Sequence, residues 1–142
     1  MNALSKLLTQ IELASPTQRD KGTTFENLCI QYFLNEPKYA ELYSDVLSYS
    51  EWSAQYGDIV GITTKKDAGI DLVAVTKTGE FHAIQCKNYN KTKIAKKDID
   101  SFLAASDKTY FTLRYIVAST DYWTEEAKEM LRDKAVPVTA LS

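Results

Sequence analysis

The chain has 142 residues, 44% hydrophobic and 25% charged, with a formal net charge of −2. That length suits one domain with a real core, and no apolar run approaches the ~20 residues that a membrane-spanning helix needs. Two cysteines do not make a disulfide framework, one histidine makes a zinc site a poor fit, and the acidic balance argues against a dedicated nucleic-acid binder, which has a basic excess.

Residues 2–14 place Leu4, Leu7, Leu8 and Ile11 at helical spacing, and Ser15-Pro16 ends that helix. No basic region precedes an unbroken apolar stretch here, so no signal peptide is evident and the cytoplasm is the expected compartment. Thr17 to Gly22 reads as a polar linker. A helix follows over about Thr24 to Asn35, with Phe25, Leu28, Cys29, Tyr32 and Phe33 forming one apolar stripe. Thr23 and Glu26 match a capping box at its start.

Val46 to Ser50 reads as a first strand. Glu51 to Gly57 reads as a turn or short helix, in which Trp52 and Tyr56 either pack or stack on bases. Asp58 to Ile62 is ambiguous between strand and loop. Asp67 precedes the turn at Gly69, where its short side chain suits turn chemistry. Leu72 to Val75 and His82 to Lys87 then form a hairpin around Lys77-Thr78-Gly79-Glu80. A helix spans Lys96 to Ser106, a strand Thr112 to Ala118 and a helix Thr124 to Lys134, and Val136-Pro137-Val138 suits a final edge strand. The order predicts an α/β fold, a mixed sheet flanked by helices.

Three polar groups interrupt the apolar hairpin: Asp71, Gln85 and Lys87. Gln85 and Lys87 are two apart, so their side chains leave one face of one strand. Normal pairing sets Asp71 beside them, and a carboxylate, an amide oxygen and an ammonium converge at one sheet edge. A hard cation such as Mg²⁺ takes oxygen ligands of this kind, including the backbone carbonyl of Cys86. Lys87 can hold or activate water and offset charge on a phosphorane-like transition state. The pattern is that of metal-dependent phosphodiester hydrolysis. Cys86 and His82 point to the opposite face, so neither suits a nucleophile or general base. Past Lys87 come Tyr89, Lys91, Lys93, Lys96 and Lys97, which suit contact with a DNA backbone; Lys65 and Lys66 suit it from the other side of the hairpin.

Asp71, thirteen residues, then Gln85-x-Lys87 resembles the PD-(D/E)xK nuclease core in its Q-x-K variant. More narrowly, Gly69-Ile70-Asp71-Leu72-Val73 with Ile84-Gln85-Cys86-Lys87 resembles the Mrr-like nuclease domains fused to helicase or translocase motors in restriction enzymes, the Type ISP class among them. The likeness runs from Phe25-Glu26 to about Lys134. It implies a restriction-endonuclease-like α-β-β-β-α-β core over residues 23–142, preceded by the N-terminal helix and linker (1–22), all in one nuclease domain. It also implies double-stranded DNA as substrate, Mg²⁺ with Mn²⁺ as substitute, and Glu26 reaching the metal, through water if not directly. Asp67 would be a supporting carboxylate near the metal. The chain carries no phosphate-binding P-loop, so translocation and target recognition would come from other domains of a longer parent. The departure is Gln85, where Asp or Glu is usual, which removes one charge from the site. A nuclease-like module that binds nucleic acid or a partner without cutting is the alternative.

Overall fold

The computed structural model describes residues 18–62, 69–87, 95–118, 124–131 and 138–141. In chain order these form α1 (Gln18–Asn35), α2 (Pro37–Ala40), β1 (Tyr43–Ser48), α3 (Tyr49–Val60), β2 (Leu72–Thr76), β3 (Phe81–Lys87), α4 (Lys96–Ser106), β4 (Phe111–Ala118), α5 (Glu125–Met130) and β5 (Val138–Leu141). The strands make one five-stranded sheet in the order β1-β2-β3-β4-β5. The first two pairings are antiparallel and the last two parallel. The mixed sheet flanked by helices agrees with the expected restriction-endonuclease-like fold.

Strand alternation divides the core. Val73, Val75, Phe81, Ala83 and Ile116 face Trp52 of α3, Ile99 and Phe102 of α4, and Ala127 of α5. Leu72, Ala74, Ile84, Tyr115 and Val117 face Phe25, Cys29 and Phe33 of α1. The helices therefore lie on both faces, and the hairpin β2–β3 sits in the middle of the sheet, buried on both sides. That is why its strands read as near-continuous apolar runs.

Several local expectations are corrected. The segment read as a linker is already helical at Gln18. It has no proline, and one glycine inside a helix costs only about 1 kcal/mol. Thr23 then lies inside α1, so Thr23 and Glu26 do not cap its start. The true capping box belongs to Ser48 and Glu51, where Ser48 Oγ accepts from the Glu51 amide at 3.2 Å. It starts α3 at Tyr49, so that the first strand runs Tyr43–Ser48 and not Val46 to Ser50, and carries a helix through Asp58-Ile59-Val60 to a left-handed cap at Gly61 (φ 84°). Trp52 is fully buried against Phe81, Tyr110 and Phe111, so base stacking by it is ruled out. Tyr56 leans on Phe81. The last strand begins at Val138, after Pro137. The helix expected over residues 2–14, with Asp67, Lys65, Lys66, Tyr89, Lys91 and Lys93, lies outside the described residues.

Two buried polar groups brace the layers. Arg114 on β4 is 1% exposed, and its Nη1 donates to the Leu103 carbonyl at 3.2 Å and to Ser106 Oγ at 3.1 Å. It ties the carboxyl end of α4 to the sheet, where a cation suits the helix dipole. On the other face His82 Nδ1 lies 2.6 Å from the Tyr43 hydroxyl, which donates to Tyr115 at 3.2 Å. Burial holds the His82 imidazole below its usual range, with Glu80 pulling weakly the other way. The unfolded chain then binds the proton more readily. Stability is complete above the unfolded value of about 6.5 and falls as pH drops toward the folded one. Melting temperatures between about pH 7 and pH 5 should fall more steeply for wild type than for His82→Gln, which cannot take up the proton. Equal slopes would remove His82 from the acid response.

Candidate active site

Asp71 stands immediately before β2. Its amide donates to the Ile84 carbonyl at 3.1 Å, and its carbonyl accepts from the Tyr49 amide at 3.1 Å. The backbone at Asp71 is thus pinned between β3 and the first residue of α3. Its approach is set by Gly69, at φ +101°. A Cβ there would meet the Ser101 backbone of α4 at 3.0 Å, so both the backbone angle and the space demand glycine.

The register pairs Leu72 with Ile84, and the Asp71 amide turns to the same Ile84, so Asp71 stands where the regular pairing of β2 and β3 ends. Residues 85 and 87 share the alternation of Ala83, so both lie on the α3–α4 face, while Asp71 stands at the end of the hairpin against the Cys86 amide. The structure therefore brings Asp71, Gln85 and Lys87 to one end of the sheet, the end where β3 and the parallel β4 terminate. In α/β folds that edge is where ligands are met. Lys87 pairs with Ala118, whose small side chain leaves room beside it.

One oxygen of Asp71 is engaged by β3: the Cys86 amide donates to Oδ2 at 2.7 Å. The shortness of that bond fits an ionised acceptor. Sequence spacing gives no sign of this bond, because it arises where the hairpin's regular ladder ends. Gln85 is 7% exposed, and its Oε1 is buried with no hydrogen-bond partner. Its neighbours along and across the sheet are Ala83, Ile116 and Asp71. Leaving such an oxygen unpaired costs about 1–3 kcal/mol. An oxygen acceptor held in reserve next to a carboxylate fits a cation's ligand set. Among the described residues no three His, Cys, Asp or Glu side chains cluster as metal ligands. The oxygen donors here are one aspartate and an amide, with a glutamate behind.

That glutamate is Glu26, on α1 and therefore on the other side of the sheet. The half-buried Cys86 points its thiol to that side, toward the buried Cys29, with which it hydrogen-bonds. It is also close enough to Asp71 and Glu26 to feel both carboxylates. All of these push the thiol well above its usual range, so a thiolate is disfavoured and Cys86 packs rather than reacts. Both carboxylates therefore lie near the same residue of β3. Lys96 and Lys97 are exposed at the start of α4, which follows the site strand in sequence.

The family comparison matches residues 34–142, more than half of the chain, to the Mrr-type restriction endonuclease family. The chain belongs to that family. The match contains Asp71, Gln85 and Lys87 and begins after Glu26. A solved structure described as the ATP-dependent Type ISP restriction-modification enzyme LlaBIII bound to DNA is 30% identical with a TM-score of 0.72. The alignment covers 99% of this restriction endonuclease chain and 8% of that one. It spans the whole described fold, α1 included. A repair endonuclease from Pyrococcus abyssi is 19% identical with a TM-score of 0.31, over 51% of this chain and 31% of that one, and no conclusion rests on it. No curated protein matches.

Proposed function

We propose that this nuclease domain hydrolyses DNA phosphodiester bonds with a bound divalent cation, Mg²⁺ or Mn²⁺ in its place. The buried, unpartnered Oε1 of Gln85 beside Asp71 is the observation that supports this most. Asp71 and Gln85 Oε1 would hold the cation with the Cys86 carbonyl, and Glu26 would support it from α1. When bound, such an ion polarises a phosphoryl oxygen and acidifies water. Lys87 orients the attacking water and offsets charge that develops on the phosphate. Asp67 would support the ligand set.

The domain fills residues 1–142 and works in a longer cytoplasmic chain with helicase or translocase and target-recognition domains. The DNA in the Type ISP structure and the small share of that chain covered support this reading. Supercoiled plasmid should be nicked with Mg²⁺ or Mn²⁺ and left intact with EDTA. Cleavage that survives EDTA would sink the metal-dependent reading. The amide at position 85 favours a second reading, a nuclease-like module that binds nucleic acid or a partner without cutting. Tight DNA binding with no nicking in either metal would select it.

Lys96 and Lys97, with Lys91, Lys93 and Tyr89, would line the DNA path. Lys96→Ala with Lys97→Ala should weaken binding and lower the slope of log K against log salt by about 0.9 for each phosphate no longer neutralised. An unchanged slope would take both lysines off the DNA.

A further inference from the structure

We infer that Ser48 and Glu51 are positioning residues for the hydrolysis: their capping box holds the carbonyl of Asp71, and through it the carboxylate. The inference rests on the nuclease reading above and deepens it. The first turn of a helix leaves its amides without partners inside the helix. In α3 two of these amides are met from different sources. That of Glu51, at the third helical position, donates to Ser48 Oγ at 3.2 Å. That of Tyr49, at the first, donates to the Asp71 carbonyl at 3.1 Å. The helix start and the site residue therefore share one hydrogen bond.

Ser48 belongs to both elements. It is the last residue of β1, paired with Leu72, and its extended backbone (φ −63°, ψ 157°) is also that of a helix N-cap. Its amide donates to Glu51 Oε1 at 3.4 Å and its hydroxyl donates to the same oxygen at 2.9 Å, which closes the box. Tyr49 follows directly and is buried, its ring 5.5 Å from that of Trp52. The cap before it and the core beneath it set the direction of the Tyr49 amide. Asp71 is thus held at its carbonyl by the start of α3 and at its side chain by the Cys86 amide of β3, 2.7 Å away. Without the cap the first turn of α3 frays and the carbonyl loses a fixed donor. The carboxylate then samples more than one position, and a displacement of about 1 Å in a catalytic group can cost on the order of 100-fold in rate.

Plasmid cleavage by Ser48→Ala, with the Cys86 amide resonance followed by nuclear magnetic resonance in the same protein, tests this. Thr76→Val is the control. Thr76 Oγ1 accepts from the Glu80 amide at 2.8 Å in the hairpin turn, roughly 16 Å along β2 from Asp71. Its loss weakens the same strand at the far end. Ser48→Ala should lower kcat about tenfold with KM for DNA within about twofold of wild type, and should shift or broaden the Cys86 resonance. Ser48→Thr keeps a capping oxygen and should restore both. Thr76→Val should lower the melting temperature comparably and change neither readout. Glu51→Ala, on an exposed side chain, should give a smaller loss in the same direction, and Glu51→Gln should recover it. That pair decides the matter if Ser48→Ala does not fold. A Cys86 resonance unmoved by loss of the cap, or a fall in kcat that Thr76→Val reproduces, would overturn the inference. A wild-type domain that cuts no DNA would overturn the nuclease reading and the role in hydrolysis with it, and the Cys86 resonance would still report whether the cap holds Asp71.

Discussion

Lys87→Ala is expected to lower plasmid cleavage by at least about 100-fold, with melting temperature shifted by no more than a few degrees. Removing one preorganised charge or donor at a developing negative charge typically costs 10²–10³ in rate, about 3–4 kcal/mol of barrier. The side chain stands on the last residue of β3 and is only partly buried, beside Ala118. Its truncation opens no hole in either half of the core. Mn²⁺ binding should survive, because Lys87 is not a ligand and its charge opposes the ion. The variant should therefore bind metal and DNA and fail at the chemical step. Wild-type cleavage by Lys87→Ala would show that the transition state forms elsewhere. A collapse of melting temperature alongside abolished cleavage would make Lys87 a structural residue instead.

The elements that sequence reveals best are those whose periodicity has one reading. The hairpin Leu72–Lys87 reads as two short apolar runs on either side of a glycine turn, which suits buried strands, and α4 and β4 follow apolar patterns with clear ends. The stripe from Phe25 to Phe33 names the buried face of α1, and strand geometry alone puts Gln85 and Lys87 on one face. The failures have a common cause. The pattern Ser/Thr-x-x-Glu occurs at Thr23 and at Ser48, and only the second is a helix start. Nothing local distinguishes them. What decides is that Ser48 ends a strand paired with β2, whereas Thr23 lies in a helix already under way. Similarly, Ile59 and Val60 look like strand residues, and Ile59 is 77% exposed on α3. Tertiary position overrides propensity there. Arg114 reads as a surface charge in a strand, yet its acceptors come from α4. The bond from Cys86 to Asp71 and the unpaired oxygen of Gln85 are likewise properties of neighbouring segments, visible only once the chain is folded.

Asp71 separates into two roles, and two substitutions resolve them. Asp71→Asn keeps an oxygen for the Cys86 amide and removes the charge. Asp71→Ala removes both. Cleavage should fall below detection in each, and Mn²⁺ binding should vanish in each, since a hard cation needs the carboxylate. Stability should part them. In Asp71→Ala the Cys86 amide loses its 2.7 Å partner next to two apolar layers, and an unsatisfied buried donor costs about 1–3 kcal/mol. Asp71→Asn should stay within about 1 kcal/mol of wild type, because the backbone bonds to Ile84 and Tyr49 that pin residue 71 do not involve its side chain. Chemical denaturation of the three proteins measures the difference. Equal stability of the two variants would mean that the amide finds another acceptor, and the carboxylate's hold on β3 would then not be what fixes the site. Retained cleavage in Asp71→Asn would be more serious. It would mean that the negative charge at this position is dispensable, and with it the cation.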